Sequence, residues 1–278
     1  MVRLFSSKPQ LQVFWWSEPR LMGKERENYG DLLSKYLIEK ISGKKVKWKQ
    51  PKKKTWYNWN KKIYLAVGSI VHHATKNSIV WGSGIIDQQQ EIAAADFRAV
   101  RGPQTRKYLL ASGYNCPEVY GDPALLLPEF FNPTIEKKYE IGIIPHYLDF
   151  ELVSSWYKDN NSIKVIDLMT LDVEEVTVQI LSCKQTISSS LHGIIVSHAY
   201  GIPSVWVKFS DKIFGNDIKY KDYLQSVNLE HYQPEMLKSK LADDQILLLL
   251  EKHVNLPEMK DIKKLQEGLL KSCPFRNR

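Results

Sequence analysis

Residues 185–208 read QTISSSLHGIIVSHAYGIPSVWVK, and the order of residue types within them sets the fold class. Thr186 and Ile187 end an apolar approach, and Ser188, Ser189 and Ser190 interrupt it. Leu191 and His192 then open a segment whose apolar residues Ile194, Ile195, Ala199 and Tyr200 recur at helical spacing. Gly201-Ile202-Pro203 stops that helix, because glycine accepts the left-handed position after a helix and proline cannot continue one; residues 204–208 resume as a buried strand. The unit is strand, polar turn, helix, strand. A serine turn at a helix start presents free backbone N–H groups, hydroxyls and the positive end of the helix dipole, which together suit an anion. The imidazole of His192, in the first helical turn, can move a proton near neutral pH. A capped helix with a partly buried histidine accounts for the same residues, so this stretch alone leaves both readings open.

The same alternation extends outward in both directions. Upstream, residues 139–144 read as a strand, Pro145-His146-Tyr147 as the loop at its end, 150–158 as a helix, 164–168 as a strand and 173–181 as a helix. Residues 132–138 are polar and proline-bearing, a linker. Before it a first run of buried strands covers 11–16, 63–70, 78–82 and 96–101. Asn28-Tyr29-Gly30-Asp31 is a loop-to-helix turn with Asp31 as the expected N-cap. Gly102-Pro103-Gln104-Thr105 opens a helix over 106–112, which leaves Arg101 at a strand end, where ligands of α/β sheets bind. Gly82-Ser83-Gly84 lacks both the P-loop lysine and the full dinucleotide fingerprint, so no nucleotide is expected there. Two βα runs predict an α/β protein with two Rossmann-like domains, residues 1–133 and 134–225, facing a cleft. The helical stretches 242–253 and 259–270 lie in a segment, 226–278, expected to pack back on the first domain.

Composition narrows the partners. The chain has 278 residues and a net charge of +8, yet nine lysines and no acid fall within residues 44–62, so the remainder is one charge negative. Trp48, Trp56, Tyr57 and Trp59 stand among those lysines. Lysines attract anionic headgroups and indoles favour the interface, so Lys52, Lys53, Lys54, Trp56 and Trp59 are read as a membrane-docking patch. Nucleic acid is not expected, because no basic stripe elsewhere extends the contact. A solvated charged loop is the bland alternative. Three cysteines without metal-ligand spacing indicate a reducing compartment. No apolar run is long enough to span a bilayer, and no leader-like segment opens the chain; the expectation is a cytoplasmic protein at the inner face of the membrane.

Four motifs in order, Asn28-Tyr29-Gly30-Asp31, residues 97–105 (FRAVRGPQT), Gly121-Asp122-Pro123-Ala124 and Ser188-Ser189-Ser190-Leu191-His192-Gly193 with Gly201-Ile202-Pro203, resemble the polysaccharide pyruvyl transferase family over about residues 10–210. The resemblance implies a GT-B-like pair of Rossmann-like domains with the active site between them. It also implies a reaction: phosphoenolpyruvate gives its enolpyruvyl carbons to two hydroxyls of one sugar, forming a pyruvate ketal and releasing phosphate, with no cofactor and no metal. On that basis His192 and Arg101 are the catalytic candidates, with a structural ion pair the alternative for Arg101. Ser188, Ser189, Ser190, Leu191, His146 and Arg98 are candidates for the donor, and Asn28, Gly30 and Asp31 for the acceptor, a sugar or lipid-linked oligosaccharide. Some members carry arginine immediately before the Leu-His pair, where Ser190 stands here, so positive charge must come from elsewhere; Arg98, Arg106 and Lys208 are the candidates. His72 and His73 are read as loop residues, Asp122 as a turn residue and His198 as lying off the active face of its helix. A GT-B glycosyltransferase using a nucleotide sugar, and a non-enzymatic sugar- or anion-binding protein, are the rival readings.

Overall fold

A computed structural model describes residues 10–53, 61–253 and 256–275. The first half runs β1 (Leu11–Phe14), α1 (Glu18–Met22), β2 (Glu27–Asn28), α2 (Tyr29–Ser42), β3 (Val46–Trp48), β4 (Ile63–Leu65), β5 (Ser78–Trp81), β6 (Asp96–Ala99) and α3 (Pro103–Ala111). A 3-10 helix, Pro123–Glu129, follows. The second half runs β7 (Tyr139–Ile144), α4 (Phe150–Trp156), β8 (Ile163–Val165), β9 (Met169–Thr170), α5 (Val173–Leu181), β10 (Cys183–Ser188), α6 (Leu191–Ala199) and β11 (Ser204–Lys208). It ends with α7 (Ile218–Ser226), β12 (Glu235–Met236), α8 (Asp243–Glu251) and α9 (Met259–Ser272).

Two five-stranded parallel sheets result, ordered β3-β1-β4-β5-β6 and β12-β11-β10-β7-β8. Each follows one plan: the second strand of the sheet lies outside the first, and the third, fourth and fifth extend on the other side. That is a doubly wound order, in which ligands bind beyond the carboxyl ends of the strands where the winding reverses. The reversal falls between β1 and β4 in the first sheet and between β7 and β10 in the second. Central strands such as β5 and β11 are buried along nearly their whole length, which explains their continuous apolar character.

The halves are joined closely. β2 and β9 form an antiparallel ribbon pairing Glu27 with Thr170 and Asn28 with Met169. One buried cluster takes in Tyr29, Leu33 and Leu37 of α2, Val176 and Ile180 of α5 and Ile194 and Ile195 of α6. The chain's last helix crosses to the first sheet: Trp81 Nε1 donates to the Leu269 carbonyl at 2.9 Å, Gln266 to that of Leu125 at 2.7 Å, and Phe275 packs on Tyr64 and Trp81. α7 packs on α3 so closely that a Cβ on Gly102 would lie 1.9 Å from the Asp222 carbonyl oxygen.

Several local expectations need correction. Asn28, not Asp31, caps α2: its backbone is extended and its side chain accepts from Gly30 N at 3.0 Å, which places Asp31 inside the first turn. The strands expected over 63–70 and 96–101 end at Leu65 and Ala99, and Gly68, at φ 104°, lies in the chain that turns away. The helix expected from 106 opens at Pro103, whose missing N–H costs nothing at a first position. β3 was hidden inside the basic segment. It is the edge strand of its sheet, where the exposed Lys47 discourages pairing with another chain. Among the described residues the three cysteines form no disulfide.

Candidate active site

The two winding reversals face one another across a cavity of about 550 Å³. From the first half come Trp16 and Glu18 after β1, and Gly68, Ser69 and Ile70 after β4; from the second come His146 and Tyr147 after β7, and Ser190, Leu191 and His192 after β10. Asn28 and Asp31 at the start of α2, His72 and His73, Gln90, and Lys219 of α7 line it as well.

The serine turn divides its labour. The Ser188 hydroxyl lies 2.9 Å from both the Ile144 and the Ser190 carbonyl oxygens and accepts from Ser190 N, and Ser189 Oγ accepts from His146 N at 2.8 Å. Both serines are buried and build the turn, whereas Ser190, Leu191 and His192 line the cavity. Among the described residues no side chain caps α6, so the N–H groups of its first turn point their partial positive charge toward this end of the cavity without a competing cap. A Cβ on Gly193 would lie 2.5 Å from Ser188 Oγ and 2.8 Å from Ile144, so glycine is what lets α6 start so close to the sheet.

His192 is held from two sides. Its Nε2 is 3.6 Å from Oδ2 of the fully buried Asp122, and a Cβ on Gly30 would fall 1.9 Å from its Nδ1. Asp122 spends its other oxygen on Ala124 N at 3.0 Å, capping the 3-10 helix. Neither His192 Nε2 nor Asp122 Oδ2 has a hydrogen-bond partner among the described residues. Buried polar atoms without partners are uncommon and call for a reason, and here they mark a site.

Arg101 and Arg98 lie elsewhere. The Arg101 guanidinium is fully buried: Nε donates to Asp222 Oδ2 at 3.0 Å, Nη2 to the Ile85 carbonyl at 2.6 Å and Nη1 to Ser69 Oγ. Asp222 also accepts from the Thr105 amide at 2.9 Å and hydroxyl at 2.6 Å. Arg101 therefore joins the strand end, α3 and α7, and among the described residues touches the cavity only through Ser69. Arg98 pairs with Asp96 at the surface, Arg106 donates to the Cys116 carbonyl at 3.2 Å, and Lys208 pairs with Asp217.

Two lysines line the cavity, the exposed Lys212 and the half-buried Lys219, and no sequence motif marks either. Burial, with Arg101 adding to it, lowers the Lys219 ammonium to about 8. Facing it electrostatically is Asp31, whose carboxyl burial raises well above the ordinary range, with Glu18 and Glu27 adding to the effect. Burial also lowers His146 to about 3, with Lys219 and Lys24 contributing, so that ring is neutral. The neighbours of Lys219 on α7 fix the surroundings. Tyr220 donates to the Ser189 carbonyl at 2.7 Å, Asp222 holds Arg101, and Tyr223 Oη is 2.9 Å from Nδ1 of the buried His198.

Among the acceptor candidates, Asn28 and Asp31 line the cavity, while Gly30 lies beneath His192. Of the docking candidates, Lys52 and Lys53 are exposed; Lys54, Trp56 and Trp59 lie outside the described residues. Among the described residues, no three His, Cys, Asp or Glu side chains cluster so as to hold a metal ion, and no helix is long and apolar enough to cross a membrane.

Fold and cavity together define an α/β protein with two doubly wound sheets whose carboxyl edges share one cleft, basic and dipolar at one end. The family model described as polysaccharide pyruvyl transferase matches residues 28–211, and the chain belongs to that family. The match takes in the cap of α2, Asp122 and His192 but stops short of Lys219. The chain is also 38% identical over 215 residues to the uncharacterized protein L143 of Acanthamoeba polyphaga mimivirus, a match covering 74% of this chain and 73% of that one. Membership gives the reaction class: a transferase that places pyruvyl groups on polysaccharide.

Proposed function

We propose that the protein uses phosphoenolpyruvate to form a cyclic pyruvate ketal on two hydroxyls of one sugar, releasing phosphate, in a GT-B-like cleft between its two halves. The observation that carries this is the joint placement of the uncapped α6 N-terminus, His192 and Lys219 at one end of the cavity. A donor with a carboxylate and a phosphate needs cationic and dipolar partners, and a protonation step needs a group able to carry a proton. In the reaction the methylene carbon takes a proton, the first hydroxyl adds to the resulting oxocarbenium-like centre and loses its proton, and the second hydroxyl displaces phosphate. His192, backed by Asp122, carries the proton at the donor end. Lys219 supplies the charge that Ser190 lacks, and Asp31 stands near the attacking hydroxyls. Arg101 acts through Ser69 and α7 as a positioning residue.

The acceptor is read as lipid-linked, with Lys52 and Lys53 at the membrane surface. Unchanged co-sedimentation with anionic vesicles after changing Lys52, Lys53 and Lys54 to glutamate would remove that part. For the reaction itself, phosphate release is measured from phosphoenolpyruvate with a glycan acceptor and set beside a nucleotide-sugar donor. Release from phosphoenolpyruvate alone supports pyruvyl transfer; consumption of the nucleotide sugar points to glycosyl transfer, and consumption of neither to a binding protein.

A further inference from the structure

The cavity has a second wall with a different chemistry. His72 and His73 lie on a 3-10 turn after β4, their rings 4.0 Å apart; His73 meets Phe14 edge-on at 4.8 Å and Trp16 at 5.8 Å. His72 Nδ1, His73 Nε2 and Gln90 Oε1 are buried without a hydrogen-bond partner among the described residues. An orphaned buried N–H is costlier than an orphaned acceptor, so each ring carries its proton on the other nitrogen, Nε2 in His72 and Nδ1 in His73. Burial, with Lys52 nearby, lowers both histidines to about 4, so they are neutral near pH 7. The wall is therefore aromatic and rich in hydrogen-bonding groups, with Glu18 Oε1 accepting from Trp16 Nε1 at 3.2 Å beside it, whereas the α6 and Lys219 end is cationic. Neutral donors beside an indole face match a pyranose, whose apolar C–H face packs on rings and whose hydroxyls exchange hydrogen bonds.

We infer that the Trp16–His72–His73–Gln90 wall seats an uncharged hexopyranose, with Trp16 and His73 under the ring and His72 and Gln90 on its hydroxyls. Calling this sugar the acceptor rests on the pyruvyl-transfer reading; its binding does not. The wall also explains why two histidines stand together where no proton transfer is required of them.

The test is saturation-transfer NMR on the full chain with methyl β-D-galactopyranoside, methyl β-D-glucopyranoside and methyl α-D-mannopyranoside, each in the presence of phosphoenolpyruvate, whose vinyl protons report the other end of the cavity. Wild type is expected to saturate the ring protons of at least one glycoside. His72→Phe/His73→Phe keeps the aromatic volume and removes the donors; it should weaken that glycoside by about tenfold, the scale of one or two hydrogen bonds, and leave the vinyl signal unchanged. If the double variant does not fold, Gln90→Leu takes its place, with a severalfold loss expected. Undiminished glycoside binding in a folded variant overturns the inference, as does a wild type that binds none of the three. Glycoside binding without phosphoenolpyruvate binding or turnover would leave the wall standing and remove the pyruvyl-transfer reading instead.

Discussion

His192 and Asp122, seventy positions apart and carried by different halves of the chain, face each other at 3.6 Å, each atom of the pair without another partner among the described residues. The carboxylate has two jobs, since its other oxygen caps the 3-10 helix. Substitutions can separate them. Asp122→Asn retains a capping oxygen but no charge opposite the imidazole, so it should keep its melting temperature and lose about 10- to 100-fold in kcat, the range of general acid–base contributions. Asp122→Ala should lose the same activity and about 1 kcal/mol of stability with the cap. Equal turnover in Asp122→Asn and wild type, measured by phosphate release, would reduce Asp122 to a cap.

Gly30 gives His192 its place from below. A methyl group there would lie 1.9 Å from Nδ1, and the imidazole can yield only by leaving its position before Asp122. Alanine is otherwise a better helix former than glycine. Gly30→Ala is therefore expected to fold, with kcat reduced by about 100-fold or more, since ångström-scale misplacement costs on that order. Circular dichroism and turnover measured side by side check it; full activity would mean that the imidazole position is immaterial.

Arg101 and Asp222 form a fully buried ion pair. Removing one partner strands the other, at about 3–5 kcal/mol, while replacing both with apolar residues of similar volume is often far less costly. Arg101→Ala should thus unfold or strongly destabilise the protein. Arg101→Met/Asp222→Leu should recover part of that loss in urea denaturation, the rest being the cost of the Thr105 amide and hydroxyl left without their acceptor. If the double variant regains turnover as well, Arg101 acts only through the fold; a stable but inactive double variant would give it a further role through Ser69.

These contacts show what the chain's local pattern could convey. The serine turn, the helix after it and His192 in its first turn follow from residue spacing, because strand, turn and cap chemistry act over a few positions. So does the parallel α/β class. What decides the site acts over long separations. Arg101 reads as a ligand-facing strand end until Asp222, 121 positions later, is found against it. Asp122 reads as a turn residue because only the fold brings His192 to its free oxygen. His72 and His73 carry no periodic signal in a loop. Lys219 sits in a short helix with no motif, beyond the matched region 28–211, and reaches the cavity only because α7 packs on α3 and on the serine turn.

Lys219 also sets an expectation for pH. Burial lowers its ammonium from 10.5 to about 8. Between those values the unfolded chain holds a proton that the folded protein has released, so this residue makes stability rise with pH across that window and weigh against folding below it. Its effect on function runs the other way. The charged form is the one that suits an anionic donor, so kcat/KM for phosphoenolpyruvate, which reports the free enzyme, should fall as pH rises through about 8. A bound anion favours the ammonium, so the corresponding limb in kcat should lie at higher pH. Lys219→Arg keeps its charge to beyond pH 12 and should lose the alkaline limb of kcat/KM. Lys219→Met should lower kcat/KM by about 100-fold, with no limb, and melt higher than wild type at pH 7 because the cost of desolvating a half-buried charge is gone. An unchanged alkaline limb in Lys219→Arg would show that another group titrates there and that the donor's charge is met elsewhere.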